Sequence, residues 1–210
     1  MNKREDPRAA VRHWLETVVI GERLCPFAAQ PYRQGRVAFR HSDAADDEAL
    51  LMDLHGAASE LLASPPEQIE TTVLLLTRHL QAFEDYNDFL DLADALLLQQ
   101  GWDGELQIAS FHPDYRFADA PADDRSHWTN RAPWPLLHLL REESVEAALA
   151  QHPDPAAIPE RNIRLCARWI RNDGPSCSET CRPVDRATGR RRNHSVARFR
   201  TRQSRLRWKD

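Results

Sequence analysis

A short apolar run, Thr71-Thr-Val-Leu-Leu-Leu-Thr77, is the feature that most constrains the fold of this chain. Polar and apolar positions do not alternate in it and it contains β-branched residues, so it predicts a strand in the centre of a sheet. Apolar residues recur at helical spacing on both sides of the run, over residues 50–62 and residues 83–100. The sequence therefore predicts a sheet that packs against helices.

The remaining elements follow from the same kind of pattern. Alternation predicts strands at residues 35–40 and 105–111, and residues 136–140 fit either a strand or a helix. Helices are predicted at residues 7–20, at 145–150 with Ser144 as the cap, and at 158–168, while residues 112–135 form a long polar loop. This order predicts a mixed α/β (α+β) fold, with a small sheet of three to four strands and helices on one or both of its faces.

Charge divides the chain into two parts near residue 164. Residues 164–210 carry 14 Lys+Arg and 4 Asp+Glu, which leaves 14 basic and 28 acidic residues in the part before them. We expect residues 1–170 to form a single domain. Residues 171–210 are expected to be a disordered, arginine-rich tail, because their scattered apolar residues cannot offset the entropy of ordering.

The basic tail has two interpretations. It is either a genuine arm that binds nucleic acid through its arginines, or the product of a reading-frame change near Cys166, in which case three of the four cysteines are accidental. The frame change is favoured, because the shift in composition near residue 164 coincides with the end of the part of the chain that has recognisable sequence motifs.

Several classes of protein are excluded or disfavoured by composition and motifs. No stretch of about 18 apolar residues could span a membrane, the first residues are charged, and four cysteines do not form a disulfide framework, so we expect a cytoplasmic protein. The chain has no phosphate-binding glycine loop and no His-Glu-x-x-His motif. A zinc-finger-like spacing of Cys177, Cys181 and His194 lacks the second histidine in the expected window. Cys166 could complete a tetrahedron, but the segment between has no core to support it, so no metal site is predicted, and the cofactor is unknown.

Four segments of the sequence resemble the signature segments of a known bacterial family. They occur in the same order and with compatible spacing, at residues 19–28 (VIGERLCPFA), 87–94 (NDFLDLAD), 110–117 (SFHPDYRF) and 129–142 (TNRAPWPLLHLLRE). The chain resembles family 1415 of the domains of unknown function, DUF1415, over residues 8–163. The resemblance implies membership of that family and implies no activity.

A candidate pocket is predicted from three polar, proline-stiffened segments: the loop of Cys25, residues 112–117 and residues 130–131. If the protein is an enzyme, Cys25 is the nucleophile or redox thiol and His112 is its base, since a nearby imidazole lowers the pKa of a thiol. The alternative for Cys25, which we favour, is a cysteine packed as a small apolar residue. His112 is expected at the carboxyl end of a strand, where α/β sheets gather ligands, or else it serves only a turn.

Ligand binding is assigned to four further residues: Asp114, Tyr115, Asn130 and Arg131. The amide and the guanidinium fork of Asn130 and Arg131 suit a carboxylate or phosphate, so the expected partner is an anionic small molecule. Alternatively, Asp114 is a turn former and Arg131 ties the loop to an acidic helix. The sequence thus predicts a small-molecule enzyme or ligand-binding domain; a non-catalytic binding module and nucleic-acid binding through the tail are the alternatives.

Overall fold

Four strands form one mixed sheet in the computed structural model, which describes residues 6–169. The sheet has the order β1-β2-β4-β3. Strands β1 and β2 are parallel, and β4 is antiparallel to both of its neighbours. The strands are β1 (Val37–Ser42), β2 (Thr71–Leu76), β3 (Leu106–Phe111) and β4 (Leu136–Arg141). The predicted mixed α/β class and the sheet of three to four strands are confirmed, and residues 136–140 form a strand.

Helices α3 (Asp47–Ala63) and α4 (Phe83–Gln99) cover one face of the sheet, called here the α3/α4 face. Helix α3 begins where the Asp46 carboxylate accepts a hydrogen bond of 2.9 Å from the Ala49 backbone N–H. The stripe predicted from the sequence is buried against β2, β3 and β4, and its members include Leu50, Leu54, Leu61, Tyr86 and Phe89.

The opposite face is covered by α1 (Pro7–Trp14) and α6 (Ala157–Trp169), and is called the α1/α6 face. Helix α1 continues into a π-helical segment, Leu15–Ile20. The apolar side chains of α1, the π-helical segment and α6 pack on the residues of β1 and β2 that point to this face. The group includes Val11, Trp14, Val18, Leu165, Phe39, Val73 and Leu75. Both faces of β2 are therefore covered, as its uninterrupted apolar sequence requires.

Three short helices differ from the sequence prediction. Helix α2 (Ala29–Arg33) was not predicted, because none of its five residues is buried and it carries no apolar stripe. Helix α5 (Glu142–Ala150) begins two residues before Ser144, so the prediction of Ser144 as its cap is wrong; Arg141 occupies the cap position. The long loop contains a 3-10 helix, Arg125–Asn130.

The expectations for residues 171–210 concern a part of the chain outside the described residues. They include the tail, the Cys177 and Cys181 spacing, and the frame change. Within residues 6–169, no helix combines the length and the apolar character that crossing a membrane requires.

Candidate functional site

Strands β1, β2 and β3 all end at the same edge of the sheet, and β4 begins there. The segment after β2, the segment after β3 and the segment before β4 therefore meet at this edge. Ligand sites of open α/β sheets gather at the carboxyl ends of parallel strands. The five predicted site residues other than Cys25 all belong to the segments at this edge, and two of them, His112 and Tyr115, are buried.

His112 directly follows β3 and its side chain is fully buried, at 0% exposure. Its ring packs against Phe83 and Tyr86 of α4, with ring centroids 5.4 and 5.1 Å apart. Nδ1 accepts a hydrogen bond of 3.0 Å from the Asp114 backbone N–H. A neutral ring therefore carries its proton on Nε2, and Nε2 has no hydrogen-bond partner among the described residues.

Burial lowers the pKa of His112 to about 4, since the surroundings penalise the imidazolium. Backbone groups of Leu80 and Gln81 lie near the ring and oppose this shift, although neither makes a well-formed hydrogen bond with Nε2. Leu80 has a φ of 56°, a left-handed conformation that a branched side chain seldom adopts. A buried N–H with only poorly aligned backbone neighbours thus lies beside a strained backbone, a combination found at many functional sites.

Asp114 and Tyr115 form the turn that follows His112. The Tyr115 backbone N–H donates to the His112 carbonyl at 3.1 Å. The Tyr115 ring is buried, its hydroxyl lies 3.2 Å from that of Ser110, and burial raises its pKa. Asp114 is half-buried and its backbone holds the His112 ring. Tyr115 is therefore part of the apolar core, and Asp114 lies nearer the surface.

Asn130 joins the long loop to the end of β3. Its Nδ2 donates to the Ser110 carbonyl at 3.1 Å, and its own backbone carbonyl accepts a hydrogen bond of 3.2 Å from the His112 N–H. Its Oδ1 accepts from the Thr129 hydroxyl at 2.9 Å. These bonds fix the position of the residue that precedes Arg131.

The Arg131 guanidinium lies over the ring of Trp128, with Cζ 4.6 Å from the ring centroid. Both residues are partly exposed. Stacking on an indole favours a guanidinium and restricts its orientation, so the N–H fork of Arg131 is held in a limited set of directions at the surface.

His127 is a residue of this edge that sequence reasoning missed. It is buried at 1% exposure, its Nδ1 accepts from the Phe117 N–H at 3.0 Å, and its Nε2 donates to the Pro121 carbonyl at 2.8 Å. Burial lowers its pKa, and the charges of Arg131 and Arg116 lower it further. No periodicity marks His127 in the sequence, because a side chain that pins an irregular loop follows no repeat.

Cys25 lies in a loop that is bound to α6. The Asn162 Nδ2 donates to the Leu24 carbonyl at 2.7 Å, and Arg161 donates to the Arg23 carbonyl at 2.6 Å. Burial raises the pKa of the Cys25 thiol, against the opposing effect of the Phe27 and Ala28 backbone groups. A raised pKa disfavours the thiolate that nucleophilic attack requires.

The structure does not bring Cys25 and His112 together. Leu24 packs in the core of the α1/α6 face, whereas the His112 ring contacts α4 on the other side of the sheet. Among residues 6–169, no hydrogen bond joins the two side chains, and neither affects the pKa of the other. In the same part of the chain, no three His, Cys, Asp or Glu side chains are grouped for a metal ion.

Comparison with known proteins gives a family and no activity. No curated protein and no solved structure matches the chain. A family model described as Protein of unknown function (DUF1415) matches residues 6–173, which include all the described residues. The match extends over well more than half of the 210 residues. The chain therefore belongs to the DUF1415 family, as its four signature segments indicate.

Proposed function

We propose that this protein is a ligand-binding domain that takes an anionic small molecule at the carboxyl edge of the sheet, with Arg131 as the principal anchor. The observation that carries the proposal is the stacked, partly exposed Arg131 guanidinium on Trp128. Its planar fork matches a carboxylate or a phosphate, and a bidentate contact of this kind supplies both affinity and orientation.

A second cation supports the anionic character of the ligand. Arg116 and Arg131 both lie near enough to His127 for their positive charges to lower its pKa. The positive charge of two guanidinium groups favours an anion bound beside them. The Asp124 carboxylate, whose own pKa is lowered by its hydrogen bonds to Ser126, also lies near His127 and offsets part of this charge.

His112 and Asn130 have positioning roles in this proposal. Asn130 ties the residue before Arg131 to β3, and His112 holds the turn that leads to Arg116. The proposal gives Cys25 no role. The Cys25 loop packs on the α1/α6 face, as Trp128 also does, but among the described residues no hydrogen bond joins Cys25 to His112, so a Cys25–His112 enzyme is less well supported than binding. We place this binding in the bacterial cytoplasm, on the family resemblance and the cysteine usage.

Thermal shift of the full chain with inorganic phosphate, citrate and glycerol 3-phosphate tests the proposal, with sodium chloride at matched ionic strength as the reference. A ligand at 100 times its dissociation constant adds about 2.7 kcal/mol to stability. We expect at least one of the three anions to raise the melting temperature with a saturable dose dependence.

Variants assign the effect to the site. Arg131→Gln should weaken binding by about tenfold or more, since hydrogen bonds to a charged group contribute roughly 1.5–3 kcal/mol. Arg131→Lys keeps the charge but removes the fork, and should recover only part of the affinity. Arg33→Gln, an exposed arginine of α2, makes the same change in net charge away from the site and should have no effect. Equal effects of the Arg131 and Arg33 variants would refute the proposal.

The alternative of nucleic-acid binding through the basic tail rests on residues outside the described part of the chain. The salt dependence of binding to a DNA duplex distinguishes it, because release of counterions gives a steep slope that a single small anion does not.

A further inference from the structure

The outer surface of α3 and α4 contains an open groove of about 570 Å³ on the side opposite to the sheet. Its lining combines three apolar side chains, two acidic ones and one imidazole, namely Leu51, Met52, Leu96, Asp47, Glu48 and His55. The groove is formed by α3 and α4 alone, and none of the residues assigned to the carboxyl-edge site lines it.

Large apolar side chains at and beside this groove are left in solvent. Met52 is 72% exposed and lines the groove itself. On α4, Leu92 is 43% exposed and lies one turn before the groove residue Leu96, on the same side of the helix. Single exposed apolar residues are common, but Met52 and Leu92 extend the apolar lining that Leu51 and Leu96 provide, and an apolar patch of this kind indicates an interaction surface.

The charge of the two helices has one sign only. Neither α3 nor α4 contains a lysine or an arginine, whereas nine of their residues are acidic. Glu60, Asp47 and Asp53 bind other groups of this chain, namely Arg40, His79 and Ser42. Several others are exposed on the outer surface, among them Glu48, Asp85 and Asp88.

We propose that this groove docks a basic amphipathic helix of a partner polypeptide. Such a helix would place leucine-like side chains at helical spacing over Leu51, Met52 and Leu96, with its lysines or arginines toward the flanking carboxylates. The flexible thioether of Met52 suits an incoming side chain of variable shape. The same acidity repels nucleic acid and anionic membranes. It also opposes a symmetric contact with a second copy, which would set like charges against each other.

Fluorescence anisotropy of a labelled peptide against the full chain tests this proposal. The probe is a helical peptide of leucine and lysine, with leucines at positions i, i+3, i+4 and i+7. A scrambled peptide of the same composition is the control for charge alone. We expect saturable binding of the amphipathic peptide, at least tenfold tighter than that of the scrambled peptide, with an affinity that falls as salt rises.

Paired variants locate the binding. Met52→Gln removes an apolar group of the groove, and Glu48→Lys reverses a charge in its lining. Each variant should lower the affinity for the amphipathic peptide at least tenfold. Their matched controls are Ile163→Gln, at a 37% exposed apolar residue of α6, and Glu67→Lys, at an exposed acid after α3. Both controls should leave the affinity unchanged.

Three results would overturn the proposal. The first is no binding of the amphipathic peptide, and the second is equal binding of both peptides, which would mean general charge attraction. The third is self-association of the full chain in sedimentation that Met52→Gln abolishes, which would assign the groove to a second copy. The Arg131 variants should not change the affinity for the peptide. The docking proposal and the anion-binding proposal can therefore be refuted separately.

Discussion

The hydroxyl of Tyr86 connects α4 to the end of the sheet from which the candidate site loops depart. Tyr86 is fully buried; its hydroxyl donates to the Leu136 carbonyl at 2.6 Å and accepts from the Phe111 backbone N–H at 3.0 Å. These two residues are partners at the last position of the β3–β4 pair. We predict that Tyr86→Phe destabilises the fold, because it leaves a partly buried donor and a buried acceptor without this partner.

The magnitude follows from the two backbone groups. Each buried polar group that loses its partner costs about 1–3 kcal/mol, and the Phe111 N–H is only partly buried, so the expected loss lies in the lower part of the sum, about 2–4 kcal/mol. For a domain of this size that corresponds to a fall in melting temperature of roughly 5–15 °C. Tyr115→Phe is the matched control: its hydroxyl meets only the Ser110 hydroxyl at 3.2 Å, so the expected loss is about 1 kcal/mol.

Urea unfolding followed by tryptophan fluorescence measures both variants, with linear extrapolation to water. The reasoning would be refuted by a Tyr86→Phe variant within about 0.5 kcal/mol of the parent, or no less stable than Tyr115→Phe.

Three further predictions concern titration and capping. Alkylation of Cys25 by iodoacetamide should show a midpoint above the ordinary thiol pKa, because burial disfavours the thiolate; a midpoint below about 8 would restore the nucleophile role. His112 has a pKa of about 4 in the fold and about 6.5 when unfolded, so its contribution to the free energy of unfolding is present above pH 6.5. As pH falls from about 6.5 to 4, the unfolded chain binds the proton first, and the free energy of unfolding in urea titrations should drop by up to about 3 kcal/mol. A His112→Gln variant should lack this part of the dependence on pH. An unchanged dependence in the variant would contradict the lowered pKa of His112. Arg141→Gln should cost about 2 kcal/mol in the same assay, because one guanidinium nitrogen of Arg141 donates to the carbonyls of Leu61, Ser64 and Ile69, in the last turn of α3 and just beyond it. Arg125→Gln, at an exposed arginine, should cost less than about 0.5 kcal/mol. Equal costs of the two variants would be evidence against the capping role of Arg141.

The elements with a strong local pattern were predictable from the sequence. The apolar run of β2 and the stripe of α4 have the expected bounds to within about one residue. Burial of one side gives α4 a helical period of apolar residues, and burial on both faces makes β2 apolar throughout. Strand β4 was ambiguous because its buried residues do not alternate: Leu136 and Leu137 are adjacent and both buried, so the strand shows no period of two.

The relations between distant segments were not predictable in this way. The position of His112 just after a strand follows from the sequence, but the packing of its ring under α4 does not. Which face of the sheet receives the Cys25 loop depends on hydrogen bonds to Asn162 and Arg161, residues about 138 positions away. The pinning of the long loop by His127 depends on carbonyl and N–H groups that leave no trace in the pattern of side chains.

The central claim, an anion site around Arg131, is tested most directly by NMR of the full chain labelled with ¹⁵N. The indole N–H of Trp128 reports on the stacked guanidinium, and that of Trp102, which packs against His55 after α4, serves as a remote reference. During titration with citrate, inorganic phosphate or glycerol 3-phosphate at constant ionic strength, the account predicts saturable shifts of the Trp128 indole and of the Arg131 and Arg116 amides, with the Trp102 indole unmoved. Shifts centred elsewhere, or none with any of the three anions, would contradict it.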